Sequence, residues 1–119
     1  MSTTFPFQVA AAKNPDDEMR QFAIMAPVGD LEGYYNLFED FGYGGNGPSW
    51  REHIETILEE YQPDLLDHLE FDEEGETFLV YADSLDAVRQ FMTSILPYFG
   101  DLEKLKKYLS QTDSSDFFE

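Results

Sequence analysis

An excess of acidic side chains limits the folds open to this chain more than any other feature. Twenty-five Asp and Glu residues stand against seven Lys and Arg, which gives a formal charge of −18 over 119 residues. Chains this acidic are often disordered, because they bury too little apolar surface to offset chain entropy. Here eleven Phe, seven Tyr and one Trp supply ample material for a core. We therefore expect a folded domain that tolerates the self-repulsion of its surface.

The length and the lack of cysteine further limit the kinds of domain and binding site that the chain can form. A chain of 119 residues has room for one core and little for a second. Without cysteine it forms neither a disulfide nor a thiolate metal site. We see no signal peptide and no apolar run near the roughly 20 residues that cross a bilayer. These features predict a cytoplasmic protein, with residues 1–110 as a single domain and residues 111–119 as an acidic, flexible tail.

The spacing of apolar residues predicts an α+β fold. Alternating residues predict one pair of strands over residues 5–12 and 19–26, and a second pair over residues 69–72 and 77–82. Each pair is expected to form an antiparallel hairpin. Two helices are predicted after each hairpin. The order ββααββαα favours a mainly antiparallel sheet covered by helices on one face.

Capping residues predict where the first two helices begin. Asp30 is predicted to cap the first helix, and Gly42 to end it in the left-handed conformation. Ser49 and Glu52 match a capping box for the second helix. The apolar residues at helical spacing along the second helix are Trp50, Ile54, Ile57, Leu58 and Tyr61. We expect this stripe to be buried. Pro97 and Gly100 are predicted to end the third helix.

The glycine-rich residues 42–48, which we call the glycine loop, allow three interpretations. Gly42, Gly44 and Gly47 match the letters of a dinucleotide-binding loop, but a helix precedes them instead of a strand. In the simplest interpretation the glycines make a tight connection between two helices. In the third, the loop presents Tyr43, Asn46 and Trp50 to a partner, although Trp50 fits the core better.

Metal, cofactor and catalytic sites are not predicted. His53 and His68 are the only histidines, and we expect both at the surface. Residues 72–76 fail the register of an EF-hand, so we interpret them as a hairpin tip in which Gly75 supplies positive φ. The chain lacks cysteine and a nucleophile-elbow sequence, and its many carboxylates single out no catalytic pair. We predict a protein that is not an enzyme and that has no cofactor.

Residues 59–76, which we call the acidic segment, contain carboxylates without any Lys or Arg. They are Glu59, Glu60, Asp64, Asp67, Glu70, Asp72, Glu73, Glu74 and Glu76. On charge alone two interpretations stay open: a solvated face that aids solubility, and a surface that attracts a basic protein. The residues that we predict to bind a partner are Tyr43, Asn46, Glu59, Glu60, Asp64, Asp67, Asp72, Glu73 and Glu74.

Two stretches of the sequence resemble a known family. The first contains Phe38, Gly42, Tyr43, Gly45, Asn46, Gly47 and Trp50. It is similar to the immunity protein 51 family of bacterial polymorphic toxin systems, and residues 69–78 with the helix start that follows them are similar as well. Pro48 departs from the family pattern, which has an aromatic residue there. The resemblance implies a non-enzymatic inhibitor that protects its producer from a cognate toxin.

The charge adds an expectation about the toxin. Many such toxins are nucleases, whose clefts must be basic, so we predict a cognate toxin with a basic surface that is blocked at or beside its active site. Tyr43, Tyr61 and Phe71 are candidate aromatic anchors. We expect no direct contact with nucleic acid or membrane. An acidic DNA mimic or regulatory adaptor that binds nucleic-acid-binding proteins is the alternative, and a metal- or carboxylate-dependent hydrolase is a third hypothesis.

Overall fold

Four strands form one antiparallel sheet with the order β1-β2-β4-β3. The computed structural model describes residues 4–12, 18–113, 115 and 117. The strands are β1 (Gln8–Ala11), β2 (Phe22–Ala26), β3 (Leu69–Phe71) and β4 (Phe78–Ala82). The helices are α1 (Tyr34–Asp40), α2 (Gly47–Tyr61), α3 (Leu85–Phe99) and α4 (Leu102–Ser110), with short 3-10 helices at Val28–Asp30 and Pro63–His68. The α+β prediction and the order of its elements are confirmed.

The two predicted hairpins join through their inner strands. β1 pairs with β2 and β3 pairs with β4, while β2 pairs with β4 to make the sheet continuous. Opposite residues share a face, so Ile24 beside Val80 and Ala26 beside Phe78 are fully buried. The turn predicted between the first two strands falls largely on residues 13–17, which lie outside the described residues.

The core is built around Trp50, the only tryptophan, which is 0% exposed. The rings of Phe7, Tyr34, Phe38, Phe78 and Phe99 lie 4.9–6.3 Å from it, centroid to centroid. Aromatic pairs at these separations contribute beyond their buried area. Trp50 therefore belongs to the core, as preferred from the sequence, and joins α2 to the sheet, α1 and α3. In the part of the chain that the structure describes, no helix is long and apolar enough to cross a membrane.

The predicted start of the first helix is wrong. Asp30 is the last residue of the 3-10 helix Val28–Asp30. α1 begins at Tyr34, and its N-cap is Gly33, which has φ +85° and provides no side-chain hydrogen bond to the helix. A left-handed backbone is favourable for glycine alone, so the chain turns at Gly33 before the helix can start. The predicted end is confirmed, since Gly42 follows the helix at φ +90°.

The second helix starts before the predicted capping box. Asn46 Oδ1 accepts a hydrogen bond from Ser49 N at 3.0 Å, which makes Asn46 the N-cap and places Ser49 in the first turn. Asn and Ser are about equally good caps, and Pro48 fits the first turn because it needs no N–H partner. Gly47 lies so close to the β3–β4 hairpin that a Cβ would meet the carbonyl oxygens of Glu74 and Thr77.

Two smaller predictions are also wrong. α3 ends at Phe99 with Gly100 as its C-cap, as predicted, but it is not ended by Pro97 and continues through it. Pro97 and Thr93 are both exposed, so water can solvate the carbonyl oxygen that loses its helical donor. Gly75 is not among the glycines with positive φ in the described residues, so the hairpin tip forms without the left-handed conformation.

Candidate interaction surface

The acidic segment follows four consecutive elements of the fold. It runs through the last turn of α2, the 3-10 helix Pro63–His68, β3 and the turn before β4. Its exposed carboxylates are Glu59, Glu60, Asp64, Asp67, Asp72, Glu74 and Glu76, while Glu70 and Glu73 are half-buried. Helices and a strand carry most of these residues, so their backbone positions are set by the fold.

Two arginines neutralise the half-buried members of the segment. Arg20 Nε lies 2.7 Å from Glu70 Oε2, and Arg51 Nη1 lies 3.3 Å from Glu73 Oε2. Arg51 Nε also contacts Glu55 Oε1 at 2.6 Å. Among the described residues, no ion pair joins a Lys or Arg to an exposed carboxylate of the segment, but the charge of Arg20 also attracts the exposed Asp72. The other exposed members therefore keep their charge for interactions outside the molecule.

His68 lies within the segment and is 55% exposed along its side chain. Its Nδ1 lies 2.7 Å from Asp83 Oδ2. The hydrogen bond that His68 donates to Asp83 raises the pKa of His68, and Asp67 and Asp64 add smaller contributions in the same direction. The surface prediction for this histidine is confirmed, and the neighbouring carboxylates favour its charged form.

The glycine loop turns its predicted contact residues inward. Tyr43 is only 4% exposed, and its hydroxyl shares a 2.6 Å hydrogen bond with Thr112 Oγ1. Asn46 is half-buried and caps α2. The structure thus supports the interpretation of the loop as a tight connection between two helices, and we do not carry Tyr43 forward as a surface anchor.

The surface prediction for His53 is wrong. His53 is 0% exposed, and burial lowers its pKa to about 4. Its Nδ1 is hydrogen-bonded to Tyr108 Oη at 2.8 Å, and Phe117 stacks on the ring at 4.1 Å. The spacing from Trp50 to His53 and Ile57 puts all three on one helical face, so the apolar stripe itself could have revealed this burial.

The other two candidate anchors differ in exposure. Tyr61 was expected in the buried stripe, but it is 58% exposed because it lies in the last turn of α2, beyond the sheet. It stacks beside Tyr98 with ring centroids 6.3 Å apart. Phe71 is half-buried beneath the Arg51 guanidinium, 5.1 Å from the ring centroid. Tyr61 is therefore the anchor candidate that a partner can reach. Neither Tyr98 nor Tyr108, which lie beside it, was singled out from the sequence.

The described residues contain no group of three or more His, Asp or Glu that could hold a metal ion. The start of the predicted tail is tied to the domain, since Thr112 bonds Tyr43 and Phe117 covers His53. The boundary at residue 110 and the flexibility of the tail stay predictions.

The comparisons with known proteins identify one family. Residues 17–114 match the family model described as Immunity protein 51. The match includes the glycine loop, the acidic segment and all four helices. No curated protein and no solved structure shows a significant match.

Proposed function

The chain belongs to the immunity protein 51 family, and we propose that it neutralises a cognate toxin by docking its acidic segment on a basic surface of that toxin. The family implies an immunity protein with a toxin partner. The observation that carries the docking mode is the row of exposed carboxylates, of which Asp72 alone interacts with an arginine charge within the described residues. Such a surface attracts a basic partner and raises the association rate.

The distribution of basic residues also favours binding of a basic partner through the acidic segment. Lys104, Lys106 and Lys107 account for three of the seven basic residues, and all lie in α4. α4 packs on α3 and α1, whereas the acidic segment packs through the 3-10 helix on α2 and α3. A basic partner is therefore attracted more strongly by the acidic segment than by the lysines of α4.

The proposed target is the active site of a nuclease toxin or a basic surface beside it. Nucleases bind phosphates with Lys and Arg, and neutralised phosphate contacts dominate their affinity. An acidic inhibitor that occupies such a cleft excludes the nucleic acid both sterically and electrostatically. The inhibitor needs no catalytic group for this. The acidic DNA mimic with other partners stays an alternative prediction.

Two charge-matched triple variants test the docking mode. One carries Glu59→Gln, Asp64→Asn and Asp67→Asn in the acidic segment. The control carries Glu32→Gln, Glu39→Gln and Asp40→Asn, which are exposed residues between β2 and the glycine loop. Each variant loses three negative charges. Association with the toxin domain encoded beside the immunity gene is then measured by biolayer interferometry at low and high salt.

We expect the first variant to associate at least about ten-fold more slowly than wild type at low salt, and the difference to shrink at high salt, because steering by exposed charges is screened. The control should retain most of the wild-type rate. Equal losses in the two variants would mean that net charge alone matters, and unchanged rates in both would contradict docking through the acidic segment.

A further inference from the structure

A cleft of about 420 Å³ opens where the C-terminal end of α2 meets α3, α4 and the turn after α4. This volume lies within the roughly 300–1,000 Å³ that is usual for ligand clefts. We call it the tyrosine cleft and define it by Glu60, Tyr61, Tyr98, Tyr108 and Asp113, which line it. Glu60 also belongs to the acidic segment, so the cleft adjoins the surface proposed above.

Three tyrosine rings from three helices line the cleft together with the ring of Phe117. The rings of Tyr61 and Tyr98 lie nearly parallel, with centroids 6.3 Å apart. The Tyr98 and Tyr108 rings lie 5.5 Å apart at 62°. The bond from Tyr108 to the buried His53 fixes the third ring. The cleft is therefore a preformed group of rings and does not need to be assembled by a ligand.

The charges around the cleft favour a cation. Glu60 and Asp113 line it together with the rings, and among the described residues no Lys or Arg does. Lys104 and Lys107 line a neighbouring groove that shares Tyr98 and Tyr108 with the cleft. Burial raises the pKa of Tyr108, so that hydroxyl stays neutral. Aromatic rings and carboxylates around one cavity attract a cationic group and repel an anion.

We propose that the tyrosine cleft binds an arginine side chain of the partner protein. A guanidinium is planar, stacks on aromatic rings and donates to carboxylates, whereas an ammonium is a compact point charge. Tyr and Arg are also enriched among the residues that dominate binding energy at interfaces. The identification of the partner as the toxin rests on the proposed function, but the arginine site itself does not.

The first experiment needs no toxin. Blocked arginine (N-acetyl-arginine amide) is titrated into protein carrying ¹³C-labelled tyrosine, and the ring resonances are followed by NMR. The neutral control probe is blocked citrulline, which has nearly the same shape. We expect saturable shifts of Tyr61, Tyr98 and Tyr108 with arginine and not with citrulline. Equal shifts with both probes would overturn the site.

Two adjacent carboxylates give a matched pair of variants. Glu60 lines the cleft and Glu59 does not, and both are exposed on α2. Glu60→Gln should weaken arginine binding about two- to five-fold, in keeping with one lost charge contact at a partly exposed site, while Glu59→Gln should leave it nearly unchanged. Equal effects of the two variants would show a general attraction to negative charge and would refute the cleft.

The toxin complex then tests whether the partner uses the site. Tyr98→Leu and Glu60→Gln should both speed dissociation of the complex, and Glu59→Gln should not. Full affinity in both cleft variants would overturn the cleft as an anchor and would leave the proposed function standing. If wild-type protein binds blocked arginine but forms no complex with the toxin domain, the proposed function fails and the cation site stands.

Discussion

The buried His53 gives the sharpest prediction about stability. Its pKa lies at about 4 in the folded protein against 6.5 for an ordinary histidine, because burial disfavours the charged ring. The rings around it are those of Phe38, Tyr43, Tyr108 and Phe117. Burial raises the pKa of Tyr108, so its hydroxyl stays neutral in the acidic range. The pH dependence at this position should therefore come from the imidazole itself.

The sign and size of the change in folding stability with pH follow from the folded and unfolded pKa values of His53. Since the folded pKa is the lower one, the unfolded state binds more protons between pH 6.5 and 4, and lowering the pH through this window destabilises the fold. A gap of about 2.5 units corresponds to roughly 3 kcal/mol below both values, of which roughly 2.5 kcal/mol is lost by pH 4.5.

Urea unfolding followed by the fluorescence of Trp50 measures this effect. The stability of wild type minus that of His53→Leu should fall by roughly 2.5 kcal/mol from pH 7.5 to 4.5, and the subtraction cancels the titration of the many carboxylates. His68→Leu is the matched control. The pKa of His68 is raised by Asp83, so its contribution is present at low pH and is lost as the pH rises through the folded pKa, which gives a difference of opposite sign.

Parallel curves for wild type and His53→Leu would refute the reasoning. They would mean that His53 is hydrated in solution and that Phe117 does not hold its place over the ring.

Substitutions at three positions of the glycine loop, with two control substitutions, are tested by urea unfolding. Gly47→Ala should lower the free energy of unfolding by about 3 kcal/mol, because its Cβ would meet the backbone of the β3–β4 hairpin. The control Gly75→Ala has open space around it and should stay within about 0.5 kcal/mol of wild type. Similar values for the two variants would contradict the close approach of Gly47 to the hairpin. Asn46→Ala should cost about 1 kcal/mol through loss of the N-cap, and Asn46→Ser should restore most of it. Tyr43→Phe should cost about 1 kcal/mol, since its buried hydroxyl loses Thr112; no change would show that this bond does not hold the C-terminal turn.

The order of elements was predictable because period-two and helical spacing are local properties of the sequence. The starts of the first two helices were not, and residues distant in sequence decide the second of them. Asn46 and Ser49 are similar caps, and the contact of Gly47 with the hairpin fixes which of them is used. At Gly33 the left-handed backbone, with φ +85°, delays the start of α1, and the sequence did not reveal this conformation.

The candidate site divides in the same way. Exposure of most carboxylates in the acidic segment followed from composition, because charged groups are rarely buried unpaired. The tyrosine cleft did not, because Tyr61, Tyr98 and Tyr108 come from three helices that meet only through tertiary packing. The burial of His53 could have been predicted from its helical spacing, whereas its low pKa could not be predicted from the sequence.

The glycine loop and the β3–β4 hairpin pack together as one structural unit. Gly47 N donates to Gly75 O at 3.0 Å, and the hairpin backbone leaves no room for a side chain at Gly47. A graft of the loop into another scaffold would therefore need the hairpin tip as well. During divergence, an insertion in the tip must be matched by a change in the loop, so the two segments should exchange between relatives as a pair and not singly.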